Sequence, residues 1–304
     1  METKIIIELL GRMDVSLTDP EISAFKNVED GSEYAVWKIT SKNLCFVLKE
    51  AKEYEFHIYK TFFEAPHPSV PRLFATAQYE NKDYLLMEYV EGQTLFRLDR
   101  SNLPSVLDAL IGLQENFWNF PEPQEMCNPF KKILARRIER GTHLKDATLE
   151  EAYQGYLQQF KTLPRTLCHD DLLPFNVIVS NTRAVMIDWE IAGILPYPTS
   201  LARLLAHATD EEDAFFFITV DDKAFAIQYY YDHFVAQKGI SYESYRLSLD
   251  YFLLYEYCEW IMLGHKYGST DSERFRQYQK LAKDLSEQLA KNTRKENPLP
   301  NYEC

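Results

Sequence analysis

At 304 residues, with 46% hydrophobic and 26% charged side chains, the chain has an ordinary globular composition, which excludes disorder, collagen and coiled coil. Thirty-three Lys and Arg against 46 Asp and Glu leave a net charge of −13, a field that repels polyphosphate backbones and excludes nucleic acid as an expected partner. Only 10 glycines are present, so multi-glycine loops and small-residue membrane packing have little material.

In chain order, the apolar run at Ile5-Ile6-Ile7 is too short for a signal segment, and no later window reaches the length of a membrane span. A cytoplasmic chain with no membrane partner is expected. Residues 34–39 and 44–49 are β-rich runs around a turn cluster and predict a hairpin. After Lys49 the period changes, because Tyr54, Ile58 and Phe62 recur at helical spacing until Pro66-His67-Pro68 stops the helix. Strands over 73–79 and 84–89 follow, with a polar turn at 80–83, completing a small antiparallel sheet that carries one helix.

From Leu95 onward the pattern is mainly helical, with long periodic stretches at 103–118, 131–160, 223–237, 241–265 and 271–291. One β island interrupts them, over 176–179 and 184–188, joined by a turn at 180–183. The tail, 297–304, is broken by prolines and predicts an extended arm. No internal repeat is present. The two compositions divide the chain into residues 1–90, a nucleotide-binding lobe, and 91–304, a larger helical lobe carrying catalysis and substrate binding. Five cysteines, Cys45, Cys127, Cys168, Cys258 and Cys304, are widely spaced without any CxxC, which argues for reduced thiols rather than a disulfide framework or a zinc site.

The chemistry concentrates at the β island. It is preceded by His169-Asp170-Asp171-Leu172-Leu173-Pro174-Phe175-Asn176 and ends in Asp188-Trp189-Glu190. Phosphoryl transfer from Mg-ATP needs a carboxylate to orient the acceptor hydroxyl and oxygen ligands that hold magnesium against the phosphates. The H-x-D-x-x-x-x-N spacing supplies both: Asp171 to accept the hydroxyl proton, Asn176 and Asp188 to converge on Mg²⁺, and His169 to brace the loop. Taken singly, each residue has an ordinary structural reading, since Asp and Asn favour turns and buried histidines usually bond backbone. Their order along the chain outweighs it. Lys49 ends a sheet strand, where its ammonium can pair with nucleotide phosphates, and Glu55 on the next helix can hold that lysine. Between the two halves, the strand 85–89 runs into a segment ending at Gly92, where the Glu88 carbonyl and the Val90 N–H are placed to meet the edge of an adenine.

From about Asp30 to Ala208 these features resemble, in order, the aminoglycoside phosphotransferase and choline kinase family of protein-kinase-like small-molecule kinases. The loop is similar to the family's H-G-D-L-x-x-x-N, Asp188-Trp189-Glu190 to its D-W/F-E/D, and Ala192-Gly193 with Leu201-Ala202-Arg203-Leu204-Leu205 to the stretch beyond. The resemblance implies a bilobal α+β fold, ATP (with GTP as the alternative nucleotide) and Mg²⁺ as cofactors, Asp171 as base, Asn176 and Asp188 as metal ligands, and Lys49 with Glu55 at the phosphates. Three departures stand out. Asp170 replaces a glycine and sets a second negative charge beside the base. Ser200 stands where many members have Asp, predicting a serine cap at that helix start. The nucleotide loop, 27–34, holds one glycine, so Ser32 or neighbouring N–H groups must reach the phosphates.

In that family the acceptor site is built mainly from the C-terminal helices. Here they carry Asp210 within an acidic run, Glu256 and Glu259 one turn apart, and Trp260. Acids also favour helix starts, and aromatic stripes also build cores. As a site, however, this set suits a cationic small molecule, of aminoglycoside type first. Choline, ethanolamine or a homoserine-type alcohol is the alternative acceptor. A catalytically silent nucleotide-binding protein is the alternative of another class.

Overall fold

The structure, a computed structural model, describes residues 3–26, 31–52, 54–121, 129–180 and 183–296. It opens with a helix the sequence reading passed over, α1 (Thr3–Arg12), whose Ile6, Leu9 and Leu10 recur at helical spacing and are buried. The strands β1 (Glu21–Lys26), β2 (Glu33–Ser41) and β3 (Leu44–Glu50) come next, followed by α2 (Glu55–Phe62), β4 (Leu73–Tyr79) and β5 (Lys82–Glu88). They form a five-stranded antiparallel sheet in the order β1-β2-β3-β5-β4. Strand alternation explains its two faces. Trp37, Ile39, Leu48 and Leu86 point toward α1 and build a small separate core, whereas Leu85 and Met87 join α2 through Ile58, Tyr59 and Phe62 in the main core. The predicted hairpin and sheet are present. Strand β1 is an addition.

After the sheet come the short strands β6 (Gln93–Thr94) and β7 (Arg97–Leu98) and then the helices α3 (Leu103–Asn116), α4 (Pro129–Gly141) and α5 (Ala147–Thr162). The stretch expected as one helix over 131–160 is two. Its break falls after Gly141, and α5 restarts where the Asp146 carboxylate accepts the N–H groups of Thr148 and Leu149, both at 3.1 Å. The β island is larger than predicted. Alongside β9 (Val177–Val179) and β10 (Ala184–Met186), β8 (Arg165–Cys168) pairs antiparallel with β11 (Gly193–Pro196), and β6 pairs with β9. Asn176 therefore closes a 3₁₀ turn instead of opening a strand, and Asp188 lies beyond the end of its strand.

The remaining elements are α6 (Pro198–Ala206), β12 (Ala208–Thr209), β13 (Phe216–Ile218), α7 (Val220–Tyr230), α8 (Tyr242–Tyr267) and α9 (Glu273–Glu296). Helix α7 is shorter than the predicted 223–237 because it passes into a π turn over Tyr231–Val235 and a 3₁₀ turn ending at Gly239, whose φ of 75° only glycine adopts freely. The antiparallel sheet followed by a helical part is the bilobal α+β arrangement expected of a protein-kinase-like chain. No helix among the described residues is long and apolar enough to cross a membrane. Cys45, Cys168 and Cys258 are free thiols. Cys127, Cys304, the tail 297–304 and half of the expected nucleotide loop, 27–30, lie outside the described residues.

Candidate active site

The loop after β8 is anchored through its backbone. The His169 N–H donates to Ser200 Oγ at 2.9 Å, and His169 Nε2–H donates to the Ile187 carbonyl at 2.7 Å. Its Nδ1 accepts the Asp171 N–H at 3.3 Å. Burial pushes the His169 imidazole below its ordinary value, which agrees with a neutral ring whose two nitrogens play opposite roles. The ring also lies 4.7 Å from that of Trp189, whose Nε1–H bonds the Met186 carbonyl at 2.8 Å. Ser200 is not a helix cap as the sequence suggested. It sits inside the first turn of α6, fully buried, and its hydroxyl serves the loop, a task a neutral side chain performs without burying another charge.

Asp170 is likewise neutralised. It is ion-paired with Arg137 of α4, whose side chain is 1% exposed, donates also to the Tyr156 hydroxyl, and lies over the rings of Phe160 and Tyr255 at 4.3 and 4.2 Å. Burial raises the Asp170 carboxyl above its ordinary value, while Arg137 opposes that rise. The second negative charge beside Asp171 thus comes with its own cation.

Across the loop, Asn176 Nδ2 donates to the Asp171 carbonyl at 2.8 Å, which leaves its Oδ1 for another partner. Asp188 adopts a left-handed backbone with φ 67°, tolerable for Asp and uncommon elsewhere. Its carboxylate pairs with Lys49, and Lys49 Nζ lies 2.8 Å from Glu55 Oε1. Burial disfavours the Lys49 ammonium, yet Glu55 and Asp188 outweigh it and hold it above its ordinary value. Burial pushes the Glu55 carboxyl up to about 7 despite the lysine. Glu55 Oε2 is buried without a partner. The start of α2 is tied to the same segment, because the Tyr54 N–H donates to the Glu190 carbonyl at 3.0 Å.

Lys49, Glu55, Asn176, Asp188 and Glu190 all line one cleft of about 810 Å³ between the sheet and the β island. Glu88 and Val90 line its linker edge, and Phe25, Tyr34 and Ala35 its outer edge. Ser32 is exposed and lies outside that lining. The linker is strapped from both sides. Glu88 accepts the Arg72 N–H at 3.2 Å and pairs with Arg183, which also donates to the Pro68 carbonyl at 3.1 Å.

The acceptor side departs from the expectation. Glu256 and Glu259 do not present free carboxylates, because Arg203 Nη1 lies 2.7 Å from Glu256 Oε2 and 3.0 Å from Glu259 Oε2 while Arg140 pairs with Glu259 Oε1. Burial works to raise the Glu256 carboxyl, but Arg203 and His207 hold it at about 2. Arg203 also binds Asp171, its Nε and Nη2 donating to Oδ1 at 3.0 and 2.6 Å. Trp260 stacks on Tyr278 at 5.5 Å and carries the Arg274 guanidinium at 4.8 Å from its ring, so a cation already occupies an aromatic face. Asp210 is exposed. Sequence reasoning missed Arg137, Arg140 and Arg203 as parts of the site. The signal for Arg203 was a single cation set among Leu201, Ala202, Leu204 and Leu205 in an otherwise uncharged helix.

A kinase-like sheet, a cleft holding a lysine–glutamate–aspartate chain and an H-x-D-x-x-x-x-N loop define a small-molecule phosphotransferase. Residues 25–232 match the model of the phosphotransferase enzyme family (APH). The chain belongs to that family. Its fold is similar to an aminoglycoside phosphotransferase from Alicyclobacillus acidocaldarius subsp. acidocaldarius DSM 446, at 13% identity and a TM-score of 0.61, with 95% of each chain covered. A choline kinase from Cryptosporidium parvum Iowa II aligns at 14% identity and a TM-score of 0.61 over 94% of this chain and 97% of that one. The amicoumacin kinase hAmiN, in complex with AMP-PNP, Ca²⁺ and Ami, aligns at 10% identity and a TM-score of 0.60 over 96% and 94%. No curated protein matches the sequence.

Proposed function

We propose that the chain transfers the γ-phosphoryl group of ATP to a hydroxyl of a small molecule. The observation that carries this reading is the convergence of Lys49, Glu55, Asn176 and Asp188, remote in sequence, on one cleft. In it Lys49, oriented by Glu55, binds nucleotide phosphate oxygens, and the backbone of Glu88 and Val90 meets the base. Asp171 accepts the acceptor hydroxyl proton as that oxygen bonds to the γ-phosphorus; the bond to the β–γ bridging oxygen breaks and ADP leaves. Asp188 and Asn176 offer hard oxygen donors suited to Mg²⁺. Mg²⁺ is commonly held through one or two protein oxygens and the substrate's phosphates. Bound there, magnesium neutralises charge on the phosphates.

For the acceptor, the aminoglycoside and choline kinases among the structural neighbours set the first panel, together with amino alcohols and homoserine. Recognition of ammonium groups by Glu256 and Glu259 is not retained in this reading, since guanidinium groups already match both carboxylates. Asp210 remains available. The test is Mg-ATP consumption and product mass across that panel. Asp171→Asn should lower transfer by about 100- to 10,000-fold with ATP affinity nearly unchanged. Asp188→Asn should weaken Mg-ATP binding itself. Equal loss of binding in both variants, or nucleotide binding with no acceptor phosphorylated, would favour the silent nucleotide-binding alternative.

A further inference from the structure

We propose that Arg203 is a positioning residue for the transfer: it holds the Asp171 carboxylate by one oxygen, and Glu256 and Glu259 of α8 act by holding Arg203. This rests on the reading of Asp171 as the base. The guanidinium is used at two edges. Its Nε and Nη2 both donate to Asp171 Oδ1, at 3.0 and 2.6 Å, whereas Nη1 reaches Glu256 Oε2 at 2.7 Å, Glu259 Oε2 at 3.0 Å and His207 Nε2 at 3.1 Å. Among the described residues, no side chain claims Asp171 Oδ2. A planar fork fixed at both edges cannot turn about its own axis without giving up one set of partners.

The division of labour around the loop separates this role from a general structural one. Its backbone is secured by Ser200 at the His169 N–H, by the Ile187 carbonyl at the His169 ring and by Asn176 at the Asp171 carbonyl. Arg203 contributes to none of those bonds. Its hydrogen bonds to the loop go to the Asp171 carboxylate alone, so what it determines there is the direction in which that group faces. A carboxylate that can turn offers a hydroxyl either oxygen over a range of angles. One whose Oδ1 is occupied offers Oδ2 in a single direction, and orientation of this kind is worth a large part of a transfer rate.

The support extends outward. Arg203 and Glu256 are 16% and 3% exposed in their side chains, so the pair is shielded from water and salt. Glu259 passes the linkage on through its other oxygen to Arg140, which also donates to the Tyr255 hydroxyl at 3.0 Å. The acids that sequence reasoning assigned to the substrate are thereby two contacts away from the Asp171 carboxylate, acting on it through the arginine.

The experiment uses the full chain with Arg203→Gln, Arg203→Lys and Glu256→Gln, and follows transfer kinetics together with the NMR resonance of the Arg203 Nε–H. Arg203→Gln should lower kcat about 100-fold with KM for ATP unchanged. Arg203→Lys should recover only part of that loss, since an ammonium lacks the fork. Glu256→Gln, which touches neither Asp171 nor the nucleotide cleft, should lower kcat in the same direction. In the unsubstituted chain the Nε–H should exchange slowly and shift in both Asp171→Asn and Glu256→Gln. Unchanged kcat in soluble, folded Arg203→Gln or Glu256→Gln overturns the proposal, as does a loss confined to KM for ATP or an Nε–H indifferent to Asp171→Asn. Should Arg203→Gln fail to fold, Glu256→Gln and the resonance decide. A protected, responsive Nε–H in a chain that phosphorylates no acceptor supports the hold on Asp171 and tells against the proposed reaction instead.

Discussion

Replacing Arg137 with methionine tests whether Asp170 is tolerated beside Asp171 only because α4 supplies its cation. The two side chains are 1% and 11% exposed, so the variant leaves a buried carboxylate with nothing opposite it. Removing one partner of such a pair costs about 3–5 kcal/mol. Methionine retains much of the packing against Phe160 and Tyr255, which keeps the cavity contribution small beside the electrostatic one. Urea denaturation at pH 8 should therefore show a loss of about 3–5 kcal/mol for Arg137→Met. At pH 5 the loss should shrink, because burial already raises the Asp170 carboxyl and, without Arg137, the group escapes its burial penalty by taking up a proton. The double variant Arg137→Met with Asp170→Gly should be more stable than Arg137→Met alone, giving a coupling energy of about 2–3 kcal/mol in a double-mutant cycle. A single-variant loss below about 1 kcal/mol, or strict additivity in the cycle, would refute the reasoning.

Ser200→Ala strips the acceptor from the buried His169 N–H and should cost about 1–3 kcal/mol in the same denaturation assay, with kcat reduced because the loop backbone loses a tie; an undiminished urea midpoint would show that another group takes over the N–H. Glu55 gives a pH signature. Its carboxyl lies at about 7 in the folded chain against an ordinary 4.5, so between those values the folded chain keeps a proton that the unfolded chain has released, and stability falls as pH rises through that interval. Nucleotide-free Glu55→Gln should lose this dependence, and equal slopes for the two proteins from pH 5 to 8 would contradict it.

Where local pattern alone decides an element, the sequence was readable. The hairpin around Lys42 and the helix carrying Tyr54, Ile58 and Phe62 follow from period and turn chemistry, and their strands and helix deliver Lys49 and Glu55 to the cleft. The boundaries that failed are those set by tertiary partners. Asn176 reads as strand from its β-branched successors, yet it belongs to a 3₁₀ turn held by the Leu173 carbonyl. Strands of two to four residues, such as β6 and β8, carry too few side chains to show a period. Charge was the least legible property. Glu256 and Glu259 looked like free acids facing a substrate, because sequence spacing gives their mutual distance but not the arginine that α6 inserts between them and Asp171. Asp170 looked like a liability for the same reason, its cation lying 33 positions earlier in the chain.

The strap on Glu88 has a mechanical consequence. With one carboxylate fastened to Arg72 at the sheet and to Arg183 at the β9–β10 turn, the linker side of the cleft serves as a fulcrum, and any widening must grow with distance from it. Phe25 of β1 and Tyr34 of β2 line the cleft across the sheet from β5, away from that strap. In the proposed reaction ADP would leave beneath those two rings, and loosening the strap would let both sides part together.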